Sequence, residues 1–233
     1  RYSTQYLLAL NDVWQDHVAR MQDWALPGID RQMNFWRDQA ARFRRKDQKI
    51  VVIISDALRY EVAEECLSRI RALNRFDADL TAMLGALPSY TQIGMAALLP
   101  HDGLRIADDD SGQVYAGDSL LSGTAAREKQ LATAADSGRV KAMRAEEALA
   151  LHNDDGRDLF RDHDTIYIYH NRIDAVGDKL ATEDRLAEAA DDAIEDLVKL
   201  VRRLTSANFS NILITADHGF LYQHRPLEES DYA

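Results

Sequence analysis

The sequence predicts an α/β fold, a mostly parallel central sheet covered by helices and preceded by an N-terminal helical segment. Three observations predict it. Residues 50–54, Ile-Val-Val-Ile-Ile, form an unbroken β-branched run, the pattern of a strand buried on both faces. A helical period follows at once, with Val62, Ala63, Cys66, Leu67, Ile70 and Leu73 three and four apart. The alternation then recurs near the C-terminal end, where strand 165–169, a long helix over 183–205 and strand 211–216 follow one another.

In order along the chain, Leu7, Leu10, Trp14, Val18, Met21 and Ala25 form one helical stripe, which Pro27-Gly28 interrupts. Ile29, Met33, Trp36, Ala40 and Phe43 form a second. The three tryptophans lie here, so 1–48 reads as a helical segment packed on the next domain or docking a partner. Arg42, Arg44, Arg45 and Lys46 read as a solvated helix C-terminus. The core is expected over 49–233. Residues 79–84 alternate and suggest a second strand, 85–90 a turn-rich loop, and Thr91 the start of a helix that Pro100 stops. The Gly- and Asp-rich stretch 101–124 holds Ile106 and Val114-Tyr115-Ala116, enough for a small hairpin or lid. Helical patterns resume near 125–135 and 145–151. In the long helix Leu186, Ala190, Ala193, Leu197, Leu200 and Leu204 share one face.

The net charge of -11 argues against broad, charge-driven nucleic-acid binding. It leaves a phosphate substrate open, because acidic side chains that hold a cation count as negative while the filled site is positive. No apolar run reaches about 18 residues, the length a membrane-spanning helix needs. The single cysteine, Cys66, falls on an apolar helix face and suits a reducing, cytoplasmic setting. The start Arg1-Tyr2-Ser3-Thr4 lacks an initiator Met, and the chain reads as a fragment of a longer protein.

In an open parallel sheet, ligands bind beyond the carboxyl ends of the strands. Here the first strand ends at Asp56, the 165–169 strand leads to His170 and Asp174, and the last ends at Asp217-His218; the loop after 79–84 leads to Thr91. Carboxylates with imidazole suit Zn²⁺ or Mn²⁺. A hydroxyl at Thr91 could be made more acidic by a bound cation, and free N–H groups at a helix start can hold a phosphoryl oxygen. The chain has no phosphate-loop G-x-x-x-x-G-K-[ST], no G-x-G-x-x-G and no G-x-S-x-G. His17, His101, His152 and His163 lie in no motif, and His170 reads as a residue behind the site.

Four blocks carry a more specific resemblance. They are Ile53-Ile54-Ser55-Asp56-Ala57-Leu58-Arg59-Tyr60-Glu61, then Leu87-Pro88-Ser89-Tyr90-Thr91 with the helix that follows. The third is Tyr169-His170-Asn171-Arg172-Ile173-Asp174-Ala175-Val176-Gly177-Asp178, and the fourth Thr215-Ala216-Asp217-His218-Gly219-Phe220-Leu221-Tyr222. In this order they resemble the PglZ domain of bacteriophage-exclusion (BREX) defence systems, which is similar to the alkaline phosphatase superfamily. The resemblance implies an alkaline-phosphatase-like fold and a metal-dependent phosphomonoesterase or phosphodiesterase with a Thr nucleophile. It implies that Asp56, Asp217, His218 and the attacking hydroxyl of Thr91 hold one metal, and that Asp174 and Asp178 hold a second. Zinc is the first choice of cation, manganese or magnesium the alternatives. Asp178 stands where the superfamily usually has His, which favours a harder ion or a weaker second site. The superfamily's further downstream His has no clear match before Ala233; His224 follows His218 too closely. The implied partners are a phosphate ester, nucleotides and nucleic acids among the candidates, and other BREX proteins, with no membrane. The competing expectation is a catalytically silent fold that serves as an assembly module in the defence complex.

Overall fold

The computed structural model describes residues 2–134, 139–177 and 185–220. Asp30–Gly219 forms one compact unit, and the described residues outside it belong to a second. In the second unit, wide helical turns over Tyr2–Leu7 run into helix α1 (Leu8–Val18). No α1 side chain is buried, and Leu10, Val13 and Trp14 are exposed. The helix ends at Val18, short of the predicted stripe to Ala25. Trp24 comes back to meet Trp14 edge to face, with ring centroids 6.1 Å apart.

The larger unit opens with strand β1 (Asp30–Arg31), a tight turn at Gln32–Asn34, and helical turns through Trp36–Ala40 into α2 (Ala41–Arg44). From Met33 onward the predicted stripe faces the sheet of this same unit, while Ile29 at its start is exposed. Phe35 and Ala40 are buried, and Met33, Trp36 and Phe43 pack on the cluster that holds Ile50, Val52 and Ile54. Residues 30–48, expected with the N-terminal segment, therefore belong to the unit that carries the core.

Strand β2 (Ile50–Ser55) is buried along its whole length and leads to α3 (Tyr60–Arg71), which buries Cys66 and Ile70. The strand expected over 79–84 is shorter: only β3 (Met83–Leu84) ladders, and its partner is β1 rather than the central sheet. Leu80 instead lines a hollow with Leu67, Ile70 and Ile212, so it gains apolar contact without a ladder. Helix α4 (Thr91–Ala97) follows, buried from Ile93 onward. Strands β4 (Arg105–Ile106), β5 (Val114–Ala116) and β6 (Ser119–Leu120) form the small antiparallel sheet expected in the Gly- and Asp-rich stretch. Helix α5 (Gly123–Thr133) leads on to strand β7 (Val140–Arg144), which the sequence reading missed because Lys141 and Arg144 dilute its apolar signal. Helix α6 (Ala145–Ala150) precedes α7 (Asn153–Asp162), also missed, whose Asp residues and Gly156 hide its period. Strand β8 (Thr165–His170), helix α8 (Asp174–Gly177), helix α9 (Leu186–Ser206) and strand β9 (Ile212–Thr215) complete the unit.

The central sheet has the order β7-β8-β2-β9, and every pair in it is parallel. Ser55 lies beside His170 and Ile54 beside Thr215, so β2, β8 and β9 finish on one edge. One face of β2, with Ile50, Val52 and Ile54, shares a cluster with α4 and with Leu131 of α5. On the other face Ile166 and Ile168 meet Leu200 and Leu204 of α9. Among the described residues no helix is long and apolar enough to cross a membrane.

Tyr167 ties α4 to the sheet: its fully buried hydroxyl donates to the Leu98 carbonyl at 2.9 Å. Tyr167→Phe should cost about 1–2 kcal/mol by leaving that carbonyl unpaired. A lower urea midpoint with an unchanged slope would show it; an unchanged midpoint would contradict it.

Candidate metal centre

Past Ser55 the chain turns sharply. The Asp56 N–H donates to the His170 carbonyl at 2.8 Å. Ala57 takes φ 60, a left-handed conformation uncommon outside glycine, and its N–H donates to Asp217 Oδ1 at 3.2 Å. The turn after β2 is thus pinned to β8 on one side and to the segment after β9 on the other. Helix α4 closes the site from the sheet's second layer. A Cβ at Gly94 would stand 2.7 Å from the Asp217 carbonyl carbon and 2.9 Å from its Cβ, so only glycine permits this approach. Thr91, the first residue of α4, is thereby carried to the strand ends.

Three ligand atoms, from Asp56, Asp217 and His218, lie within 4.8 Å of one another. His218 Nε2 is 3.4 Å from Asp56 Oδ1, 3.4 Å from Asp217 Oδ2 and 3.0 Å from Thr91 Oγ1. The other ring nitrogen, Nδ1, donates to the Gly219 carbonyl at 2.8 Å. That bond needs a proton on Nδ1, so the neutral ring would present its lone pair at Nε2, as a metal-binding imidazole requires. Asp56 Oδ1 and Asp217 Oδ2 are buried and have no hydrogen-bond partner. Buried, unpaired carboxylate oxygens are costly unless a cation meets them. The edge of a tetrahedron with bonds of about 2.0–2.1 Å is roughly 3.3–3.4 Å, close to both carboxylate–imidazole separations. The donor set, its orphaned oxygens and its spacing all fit a divalent cation.

Electrostatics say the same. The Asp56 carboxyl is pushed up to about 8, first by burial, then by the charges of Asp217 and Asp174, with Arg127 acting against them. Arg127 lies over the Tyr169 ring, 4.8 Å from its centroid. Two carboxylates so close cannot both ionise comfortably without a countercharge.

Of the residues singled out from sequence, Asp56, Thr91, Asp217 and His218 are brought together. Asp174 opens α8, near enough for its charge to act on Asp56, but it stands outside the group of three. Asp178 and His224 lie outside the described residues. His170 is buried behind the site. Its Nδ1 shares a 2.9 Å hydrogen bond with Ser55 Oγ, its Nε2 is 3.7 Å from Asp196, and burial holds its pKa below the usual value. Two contributors escaped the sequence reading. Gly94 had a faint signal, a glycine inside a helical pattern. Gln32 had none; it is buried, and its amide bonds to Ala216, Asp217 and Ala86.

Residues 35–233 match the family model described as the BREX system PglZ alkaline phosphatase-like domain. Over 236 aligned residues the chain is 42% identical to the alkaline phosphatase-like protein BrxZ of Escherichia coli O9:H4 (strain HS). It is 36% identical over 233 residues to the alkaline phosphatase-like protein PglZ of Bacillus cereus (strain H3081.97). Each alignment takes in 99% of this chain and 27% of the relative, so the chain spans about a quarter of the length of these curated relatives.

The raised Asp56 pKa has a stability consequence. An unfolded Asp carboxyl ionises near pH ~4, whereas the folded one keeps its proton to about 8. Between those values the folded state binds more protons, so the chelated protein loses stability as pH rises. The melting-temperature difference between wild type and Asp56→Asn, measured in chelator, should therefore move against wild type from pH 5 to pH 8. Saturating divalent cation should remove the trend, and a difference independent of pH in chelator would contradict the buried pairing.

Proposed function

The chain belongs to the PglZ alkaline-phosphatase-like family of BREX systems, and on that footing we propose that it is a metal-dependent phosphoesterase domain with Thr91 as nucleophile. The observation that carries the reading is the Thr91 hydroxyl, 3.0 Å from His218 Nε2 and so beside the two buried carboxylates. Asp56, Asp217, His218 and Thr91 would hold one divalent cation, and Asp174 with Asp178 a second. Zinc best suits the first donor set, with manganese or magnesium as alternatives. When bound, such cations supply positive charge that acidifies a hydroxyl and neutralises phosphoryl oxygens.

The chain's own residues then have defined tasks. Thr91 Oγ1 attacks phosphorus, forming an O–P bond as the bond to the leaving oxygen breaks; its proton passes to solvent, and the leaving oxygen takes one from solvent to depart as the alcohol. Water next cleaves the phosphothreonine, freeing phosphate or a phosphomonoester and restoring the hydroxyl. The β-branched Thr side chain has few χ1 states, which keeps its oxygen on line. The Gly219 carbonyl holds the His218 ring by its Nδ1 proton. The substrate class is a phosphate ester, nucleotides and nucleic acids included, in the cytoplasm and alongside other BREX proteins. A second reading, an inactive assembly module, is favoured by the exposed Leu10, Val13 and Trp14 on α1.

Thr91→Ala should abolish turnover of an aryl phosphate mono- or diester, and Thr91→Ser should keep part of it. Metal affinity should fall only modestly in Thr91→Ala, since a neutral ligand is lost among charged ones. A Thr91→Ala protein as active as wild type contradicts the nucleophile assignment. A wild type inactive on every phosphoester with metal bound favours the assembly module.

A further inference from the structure

Gln32 joins the two chain segments that build the site. It lies in the turn after β1 and is 3% exposed. Its Nε2 donates to the Ala216 carbonyl at 3.0 Å and to the Asp217 carbonyl at 2.6 Å, while its Oε1 accepts from the Ala86 N–H at 2.8 Å. Two carbonyls on one side and an N–H on the other admit a single orientation of the amide. The Asp217 segment leads directly to His218, and the Ala86 segment leads through the loop to Thr91. The β1–β3 ladder, which pairs Asp30 with Met83 and Arg31 with Leu84, holds Gln32's own segment in register with the one that leads to Ala86.

We propose that Gln32 is a positioning residue, a buried neutral amide that fixes the loop before Thr91 against the Asp217–His218 segment and so sets the geometry of the cation site. The side-chain type fits the task. A carboxylate could not donate to two carbonyls and would add negative charge beside Asp56 and Asp217. A lysine could not accept from Ala86. An apolar chain would leave three backbone groups without this partner, those of Asp217 and Ala86 buried and so costly. The inference rests on the proposal that Asp56, Asp217 and His218 bind a cation; it needs the Thr91 chemistry only for its activity readout.

The test is Co²⁺ titration followed by visible absorption, on the intact protein. Gln32→Glu keeps size and the acceptor for Ala86 but removes both donors; Gln32→Met keeps length without polarity. Gln130→Met is the control, because Gln130 is also buried and donates at 2.7 Å, but to Pro100. Residues that orient metal ligands typically contribute about 10–100-fold in affinity. Gln32→Met should bind Co²⁺ at least about tenfold more weakly with an altered spectrum; Gln32→Glu should show the altered spectrum while its added negative charge offsets part of the affinity loss, and in both any phosphoesterase activity should lose kcat with KM little changed. Gln130→Met should lose stability but keep the wild-type affinity and spectrum. The proposal is overturned if a folded Gln32 variant matches wild type in both, or if Gln130→Met shifts them as far. It is also overturned if neither Gln32 variant folds while Gln130→Met does, which would make the role purely structural. A wild type that binds Co²⁺ yet hydrolyses nothing removes the Thr91 reading and leaves the Co²⁺ comparison to decide this one; a wild type that binds no Co²⁺ removes both.

Discussion

Two carboxylates, Asp56 and Asp217, are buried against one imidazole nitrogen with an oxygen of each left unpaired. A folded chain tolerates such an arrangement if a cation completes it or if Asp56 keeps its proton. Much of the unit can be read as the means of holding these groups in place. Parallel pairing of β2 with β8 and β9 brings the strand ends to one edge. The left-handed Ala57 turns the Asp56 segment so that its N–H reaches Asp217. The absence of a side chain at Gly94 lets α4 press against Asp217 and deliver Thr91. The last two have a local cost, an uncommon backbone angle at Ala57 and a glycine inside a helix at Gly94, and all three serve the same few atoms.

The same geometry explains why histidine at position 218 is held by the backbone rather than by another carboxylate. With Nδ1 committed to the Gly219 carbonyl, Nε2 of the neutral ring can accept from the Thr91 hydroxyl and faces the same point as the two carboxylate oxygens. A further acid on the far side of the ring would add negative charge to a site already crowded with it. Behind the site, Ser55, His170 and Asp196 form a separate polar chain, placed on the far side of the Ser55–Asp56 turn and anchored by Arg172 on Asp196.

The core strands and the long helix were legible because burial on both faces, or along one stripe, leaves a strong period. Ile50 to Ile54 and the leucines of α9 carry that signal undiluted. The convergence of the candidate residues was legible because parallel topology turns strand ends into a shared edge, which brings Asp56 and Asp217 together. What stayed hidden was set by tertiary contact. β7 is an edge strand with Lys141 and Arg144 in it; β3 found its partner in β1, a two-residue strand no pattern announces. Gln32 carries no signal in the sequence, and its role exists only because Ala86 and Asp217 meet there. A helical stripe does not say which surface it covers, and only the structure shows that Phe35 and Ala40 cover the sheet.

The account turns on one cation bound by Asp56, Asp217 and His218. Diffraction from crystals grown with Mn²⁺ or Zn²⁺, recorded on either side of the metal's absorption edge, tests this directly. The account predicts an anomalous peak within bonding distance of Asp56 Oδ1, Asp217 Oδ2 and His218 Nε2. Saturated crystals with no peak there, or with the ion held by other residues, would contradict it.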